Sequence, residues 1–328
     1  ISVYGPINKI CEFSFSGCTN LKTVILPNTV TIIESNAFSN CISLETITLP
    51  DSVTFVEEEI FLNCENLKNV KLSNKLSNIS EKMFANCKNS FVEIILPDSV
   101  TLIEKGAFLS CSALKKIILP KNIKTLPENI FAGCTSLEEV ILPVGLIEIP
   151  SNAFSMCKSL KKIDIPSSVK KIKDSSFSSC TSLEEVILPS TLEDLDDSAF
   201  KNCTSITNIT LPNNIKNFGN SIFEGCINLR EINLSSNMKN IPDAMFKNCT
   251  NLKIVNIPDG ILSIGTSSFE ACVALTSVTL PNTVIDIYTN AFLNCYNLKN
   301  IYLSNSLKSI SSRAFSHCLN LENINLPS

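Results

Sequence analysis

The residues that could do chemistry are 15 cysteines, one histidine and two acidic clusters. Fourteen cysteines recur singly in the motif F-x-x-C and form no C-x-x-C pair, so the spacings of zinc and thioredoxin sites are absent. If the motif copies stack side by side, the Cβ atoms of adjacent cysteines would lie about 5 Å apart, whereas a disulfide needs a Cβ–Cβ distance of about 3.8 Å. We therefore predict buried thiols that pack as small apolar residues. Cys11, outside the motif, takes the column of Glu34 and Glu104 and is expected to be exposed.

We expect the remaining candidate residues to lie on the solvated surface. His317 takes a turn position that Asn or Gly fills in other copies, and too few histidines remain for histidine-based catalysis. For the acidic clusters, a calcium site is the alternative to a solvated face. They comprise Asp194, Asp196 and Asp197, and Glu57, Glu58 and Glu59. We predict no enzyme activity, cofactor or metal site. N-x-S/T sequons, relevant only in a eukaryotic secretory pathway, begin at Asn78, Asn202, Asn208, Asn233 and Asn248.

Charge and hydropathy exclude two classes of partner. The chain has 27 basic and 31 acidic residues, whereas a nucleic-acid-binding domain carries a basic excess. No window approaches the roughly 18 unbroken apolar residues of a membrane span. We therefore expect neither nucleic-acid binding nor membrane insertion by this segment.

These residues belong to an internal repeat, which organises the whole chain. F-x-x-C occurs fourteen times between Phe15 and Cys318, and twelve of the thirteen intervals are 23 residues. The exception holds one extra residue at Lys88–Ser90, where we expect a small bulge, with Phe91 in a core column. Each unit also contains an L-x-x-L-x-L triplet such as Leu44, Ile47 and Leu49, typical of the strand of a leucine-rich repeat. Pro follows the triplet in eleven of fourteen copies and ends the strand.

The repeat predicts an α/β solenoid: a right-handed leucine-rich-repeat superhelix of about fourteen 23-residue units, with a parallel sheet on its inner face. F-x-x-C is interpreted as a one-turn helix on the outer side, with an N-cap residue such as Ser35 three positions before the Phe. Gly or Asn two positions after the Phe, as at Asn40, would adopt the left-handed conformation. Val53 and Val56 suggest a second, weaker ladder. We expect residues 1–328 to form one domain without clear caps, a fragment of a longer protein.

The candidate binding site is the outward side of the inner sheet, because side chains alternate along a strand. One column alternates in charge and the other is rich in isoleucine, which either reflects strand propensity or forms a contact stripe for a partner. The predicted ligand-binding residues are Glu93, Ile95, Lys116, Ile118, Glu139, Ile141, Lys162, Asp164, Glu185 and Ile187. From repeat nine onward these columns turn to Asn and Thr, as at Asn208 and Thr210, so the isoleucine half suits a protein and the Asn/Thr half a glycan.

The unit C-x-x-L-x-x-I-x-L-P-x-x-V-x-x-I-x-x-x-A-F-x-x-C resembles the BspA-type (Treponema pallidum-type) leucine-rich repeat over residues 5–328. The A-F-x-x-C of Ala37–Cys41 and Ala291–Cys295 carries the likeness. The resemblance implies a non-catalytic, cell-surface or secreted adhesin-type protein. Its partner would be an extracellular matrix or host surface protein, as family members adhere to fibronectin and fibrinogen, or a protein of a neighbouring cell. The alternatives are a cytoplasmic interaction scaffold, which unpaired thiols suit, and a regulatory repeat region of a larger protein.

Overall fold

The computed structural model describes residues 6–327 and is a coil of parallel strands with a 23-residue repeat. The contacts within the chain divide it into two compact units, Ile1–Leu160 (unit 1) and Lys161–Ser328 (unit 2). The expectation of a single domain over residues 1–328 stays a prediction. In residues 6–327 no helix is long and apolar enough to span a membrane.

The first ladder consists of the strands within the L-x-x-L-x-L triplets. Within each unit, most strands pair in parallel with the equivalent strand of the next repeat, as Thr46 with Asn69, but this pairing is interrupted after Asn69–Lys71, Glu185–Val186 and Ile254–Asn256. Central residues such as Ile47 and Ile117 are buried, and those on either side of them face outward. In unit 1 the strands are Thr23–Ile25, Thr46–Thr48, Asn69–Lys71, Glu93–Ile94, Lys116–Ile118 and Glu139–Ile141. In unit 2 they are Lys162–Ile163, Glu185–Val186, Asn208–Thr210, Glu231–Asn233, Ile254–Asn256, Ser277–Thr279 and Asn300–Tyr302.

The second ladder lies between the triplet and the F-x-x-C motif, and its strands have two residues each. Ile33 pairs with Val56, which confirms the predicted second ladder. In unit 1 the strands are Lys9–Ile10, Ile32–Ile33, Phe55–Val56, Asn78–Ile79, Leu102–Ile103 and Glu148–Ile149. In unit 2 they are Lys171–Ile172, Asp194–Leu195, Asn217–Phe218, Asn240–Ile241, Ser263–Ile264, Asp286–Ile287 and Ser309–Ile310.

The F-x-x-C segment is a ribbon of tight turns, and the predicted one-turn helix is wrong: residues 6–327 contain no helix. The N–H of Phe38 donates to the carbonyl oxygen of Ile60 in the next repeat (3.0 Å), whereas the N–H of Cys41 donates to the carbonyl oxygen of Phe38 (3.3 Å). Alternate amides therefore bond to the neighbouring repeat and within the turn, which a helix would not allow. Ser35 is accordingly not an N-cap, and its hydroxyl donates to the Glu57 carboxylate (2.8 Å).

The predicted left-handed position two residues after the Phe is confirmed. Asn40 has φ 57° and Asn63 has φ 58°. A second left-handed position, two residues before the Phe, was not predicted, and it includes Asn36 (57°) and Glu59 (58°). Since φ near +60° at the third residue of a tight turn is the type II geometry, these positions keep the alternating turns tight.

The core is built on the Phe column, whose rings stack from one repeat to the next. Phe108 lies 5.6 Å from both Phe84 and Phe131, measured between ring centroids. Phe91, in the irregular repeat, is fully buried and lies 5.1 Å from Phe84. On the second ladder Ile79 pairs in register with Ile103 across the irregular interval, so the extra residue is absorbed locally, although on the first ladder Asn69–Lys71 is not paired with Glu93–Ile94.

Twelve of the fourteen motif cysteines, Cys41 to Cys295, are buried beside the rings as thiols, as predicted, whereas Cys18 in the first copy is exposed and Cys318 in the last copy is half-buried. The Cys64 thiol donates to the Phe38 carbonyl oxygen of the preceding repeat (3.2 Å), and that of Cys226 does so to Phe200 (3.2 Å). Burial raises the pKa of the Cys226 thiol to about 12. The column therefore combines apolar packing with a donor for a backbone carbonyl. Cys11 is exposed, as predicted.

Candidate functional site

All ten predicted ligand-binding residues are exposed on the first ladder. Six of them, Glu93 to Ile141, lie in unit 1, and the four from Lys162 to Ile187 lie in unit 2. They flank buried strand centres such as Ile117 and Val140, so the local cause of their exposure is strand alternation. We call the outward side of these strands the first-ladder face.

The isoleucines of unit 1 form a contiguous apolar row. Ile118 and Ile141 are in register on adjacent strands, and Ile95 directly follows the strand Glu93–Ile94 before them. Their exposed fractions are 86% for Ile95, 53% for Ile118 and 45% for Ile141. The row lines an open groove of about 570 Å³, whose far edge is formed by Val144. We call this the isoleucine groove.

Charges beside the isoleucine groove are paired with one another. The ammonium nitrogen of Lys116 lies 2.8 Å from a Glu139 carboxylate oxygen, and Lys115 pairs with Glu138 at 3.9 Å. Glu93 is in register with Lys116, but the ion pair that Lys116 forms among the described residues is with Glu139. The charges of this column alternate, as predicted, and Lys116 forms its ion pair with one of its two acidic neighbours. A partner of this groove meets apolar side chains bordered by charges of both signs, of which Lys116 is paired and Glu93 forms no ion pair among the described residues.

A second groove in unit 1, of about 890 Å³, shares Ile95 with the first. Its outward residues include Ile25, Thr48 and Lys71, which occupy the column of the isoleucines. Ile25 is almost fully exposed, although it was not among the predicted site residues. The apolar column of unit 1 is therefore interrupted at Thr48 and Lys71 and resumes at Ile95.

The predicted site residues of unit 2 form a less apolar surface. Glu185 and Ile187 line an open groove of about 630 Å³ together with Asn208 and Thr210. Lys162 is in register with Glu185, whereas Asp164 is exposed outside the residues that line this groove. Ile187 is thus the single isoleucine of this groove's outward columns, and the apolar row is a property of unit 1.

Val144 is a functional candidate that sequence reasoning missed. It is 78% exposed and closes the isoleucine groove. In each repeat a Pro or Ser follows the triplet. The residue after that Pro or Ser is polar in every other repeat, for example Asn28, Asp51 and Asp98. An apolar residue at this otherwise polar position was the signal in the sequence, and Val144 lines the same groove as the isoleucine row.

The acidic cluster of unit 2 is held by protein contacts. Asp194 lies 2.9 Å from the Lys171 ammonium and Asp196 lies 3.6 Å from that of Lys173, while an Asp197 oxygen accepts the N–H of Asn220 (2.6 Å). The Lys171 hydrogen bond lowers the pKa of Asp194. Burial, by contrast, raises the pKa of Asp196. Within residues 6–327, no group of three or more His, Cys, Asp or Glu side chains is arranged to hold a metal ion.

His317 and the sequons have positions consistent with a surface. His317 is exposed with φ 58°, and its Nδ1 lies 3.1 Å from the Ser316 hydroxyl. Among the sequon asparagines, Asn208 and Asn233 are exposed on the first ladder. Asn78 is half-buried and donates to Glu104 (3.0 Å).

Comparison with known families gives one match over the whole chain. The family model described as a BspA type leucine rich repeat region matches in six copies, over residues 1–115, 101–230 and 219–328. No curated protein matches the sequence.

Solved structures of bacterial leucine-rich repeat proteins are similar to this chain. A leucine-rich repeat protein from Bacteroides ovatus is 33% identical with a TM-score of 0.90, over 96% of this chain and 81% of that one. A leucine rich cell surface protein from Faecalibacterium prausnitzii is 26% identical with a TM-score of 0.59, over 91% of this chain and 88% of that one. A leucine-rich repeat protein from Eubacterium ventriosum is 25% identical with a TM-score of 0.55, over 94% and 80% of the two chains.

Proposed function

The chain belongs to the BspA-type leucine-rich repeat family, and from this premise we propose that it is an adhesin-type module that binds a protein partner through the isoleucine groove. Leucine-rich repeat proteins of this kind are interaction modules and are generally non-catalytic. The proposal assigns the contact to Ile95, Ile118, Ile141 and Val144, with Lys116 and Glu139 at the border.

The observation that carries the proposal is the exposed apolar row of unit 1. Three isoleucines and Val144 present a contiguous apolar surface along one open groove. Contiguous exposed apolar patches on soluble proteins mark interaction sites, because water is released when a partner covers them. Strand propensity explains an isolated exposed isoleucine, but Val144 lies in a turn, where propensity for strands gives no reason for it.

A protein partner fits this groove better than a small charged ligand. The charged residues that line the groove are Glu93, Asp98, Lys116 and Lys121, two acidic and two basic, and Lys116 also pairs with Glu139 at 2.8 Å, so the groove presents little net charge to a ligand. An apolar floor with a polar rim is the composition found at the centre of protein–protein interfaces. The groove would accept apolar side chains, with the ion pair at its edge contributing orientation.

The proposed setting is the cell surface or the extracellular medium. It is supported by family membership and by the F. prausnitzii relative, which is described as a leucine rich cell surface protein. A second candidate, a cytoplasmic interaction scaffold, is favoured by the exposed thiols of Cys11 and Cys18, because exposed thiols persist best in a reducing compartment.

The proposal is tested with immobilised fibronectin and fibrinogen, the matrix proteins that the family resemblance suggests. Surface plasmon resonance would compare residues 1–328 with a variant carrying Ile118→Lys and Ile141→Lys. We expect binding to at least one protein and at least a tenfold weaker affinity in the variant, because two buried ammonium groups would be unpaired at the interface.

The control is Ile254→Lys, an isoleucine of similar exposure (53%) in the other outward column of the first ladder, in register with Glu231 of unit 2. Its affinity should equal that of the parent chain. Equal binding by the double variant, with an unchanged circular dichroism spectrum, would remove the isoleucine groove as the site. Absence of binding to both matrix proteins would remove the adhesin proposal.

A further inference from the structure

A separate depression lies on the second ladder of unit 2. It is an open trough of about 560 Å³ that runs across the strands beginning at Asn217, Asn240 and Ser263 and ends against Tyr288. Three strand spacings of about 4.8 Å give it a length of roughly 14 Å. We call it the Tyr288 trough, and it involves none of the residues assigned to the isoleucine groove.

The floor of the trough follows from two small residues. Ser263 and Gly265 are buried, whereas Asn240 and Tyr288 in the neighbouring repeats are exposed. A Cβ at position 265 would lie 2.5 Å from the Ile241 carbonyl oxygen, so only glycine fits there. The same column holds Pro242 and Tyr288 in the two adjacent repeats, so Gly265 lies between larger residues.

Polar side chains on both sides of the trough are oriented by one hydrogen bond each. The Ser263 hydroxyl donates to the Asn240 side-chain oxygen (2.8 Å), and the Asn220 side-chain oxygen accepts the N–H of Asp243 (3.1 Å). One Asp243 oxygen accepts the N–H of Thr266 (2.7 Å). Within the described residues these bonds leave the amide NH₂ groups of Asn240 and Asn220 and the second Asp243 oxygen for a ligand.

Aromatic carbon borders the trough at both ends. Tyr288 is 42% exposed and belongs to the repeat after Gly265. Phe218, which is half-buried, lines the other end. The trough therefore combines an exposed tyrosine with amide donors and a carboxylate acceptor.

We propose that the Tyr288 trough binds a neutral oligosaccharide. A sugar ring offers an apolar C–H face that packs on an aromatic ring, and its hydroxyl groups both donate and accept hydrogen bonds. Tyr288 supplies the ring, the amides of Asn220 and Asn240 donate to hydroxyl oxygens, and Asp243 accepts hydroxyl protons.

Charge in the trough disfavours an anionic ligand. Lys216, at its edge, is paired with Glu193 at 2.6 Å, and the Asp243 carboxylate would repel an anion. Lys239 is left as the cationic side chain that borders the trough without an ion pair among the described residues. A peptide would need recesses for its side chains, whereas the floor at Ser263 and Gly265 is shallow and polar.

The test is a panel of immobilised oligosaccharides, neutral, sialylated and sulfated, with unglycosylated peptides as a further arm. Residues 1–328 are compared with Tyr288→Ala, Tyr288→Phe and Asn240→Ala. We expect retention on a neutral oligosaccharide, at least a tenfold loss in Tyr288→Ala and Asn240→Ala, and near-parent binding in Tyr288→Phe, which keeps the ring. Tyr302→Ala, a change of an exposed tyrosine on the first ladder, is the matched control and should leave binding unchanged.

Several outcomes would overturn the proposal. They are no retention on any neutral oligosaccharide, retention only on sulfated or sialylated sugars that falls with salt, retention on peptides alone, and equal losses in Tyr288→Ala and Tyr302→Ala. The variants lie outside the isoleucine groove, so failure here and failure of the matrix-protein assay are independent results. Circular dichroism of each variant separates loss of binding from loss of folding.

Discussion

Replacement of Phe108 by alanine measures how much the stacked column contributes to the stability of unit 1. Phe108 is 0% exposed, and its ring lies 5.6 Å from Phe84 on one side and 5.6 Å from Phe131 on the other. A buried Phe→Ala change costs about 3–5 kcal/mol, and each lost ring pair accounts for about 0.5–1.5 kcal/mol beyond the buried area. Phe108→Ala removes two ring pairs, and the backbone ladders keep the neighbouring repeats from closing the cavity. We therefore expect a loss in free energy of unfolding at the upper end of this range, about 4–5 kcal/mol.

The matched control is Phe55→Ala on the second ladder of the same unit. Phe55 is 48% exposed, so the change should cost about 1 kcal/mol, roughly half the value of a fully buried side chain. Urea unfolding is followed by far-ultraviolet circular dichroism, because the chain has no Trp for fluorescence. If the free energy of unfolding falls by about 3 kcal/mol per M urea, the urea midpoint should fall by about 1.5 M for Phe108→Ala and about 0.3 M for Phe55→Ala. Equal shifts in the two variants would refute the assignment of the Phe column to the core.

Three further predictions concern the thiols and the turns. A thiol reagent at pH 7.5 should label Cys11 and Cys18 rapidly, because they are exposed. It should label the buried cysteines only on unfolding. Rapid labelling of most thiols would contradict the burial of the cysteine column. Burial raises the pKa of Cys226 to about 12, above its unfolded value of about 9. The neutral thiol's contribution to the free energy of unfolding is therefore complete below pH 9 and is lost as pH rises toward 12. The urea midpoint should therefore be lower at pH 10.5 than at pH 8, and an unchanged midpoint would contradict this linkage. Asn63→Val should lower stability in thermal unfolding by about 1 kcal/mol more than Asn63→Gly does. Both changes remove the side-chain hydrogen bonds to Asn40 and Asn86, but only valine is strained at φ 58°; the reverse order would exclude backbone strain as the cause.

The 23-residue period, the core columns and the outward face could be predicted because they depend on what each repeat shares. Stacked repeats place equivalent residues in register, as Lys116 with Glu139, so one unit's pattern determines the contacts of the whole ladder. The exposure of Ile118 and the burial of Ile117 follow from strand alternation alone. The same reasoning placed Phe91 in the core despite the irregular interval.

The turn geometry depended on contacts that a single repeat does not contain. F-x-x-C has the caps and spacing of a helical turn, but the amide of Phe38 bonds to Ile60 in the next repeat, and this competing bond decides the conformation. The Tyr288 trough arises in the same way, because its floor at Gly265 lies between the larger residues Pro242 and Tyr288 of the adjacent repeats. What the repeats share was determined by the sequence by itself. What adjacent repeats do differently was decided by the tertiary structure, since only stacking brings residues 23 positions apart into contact.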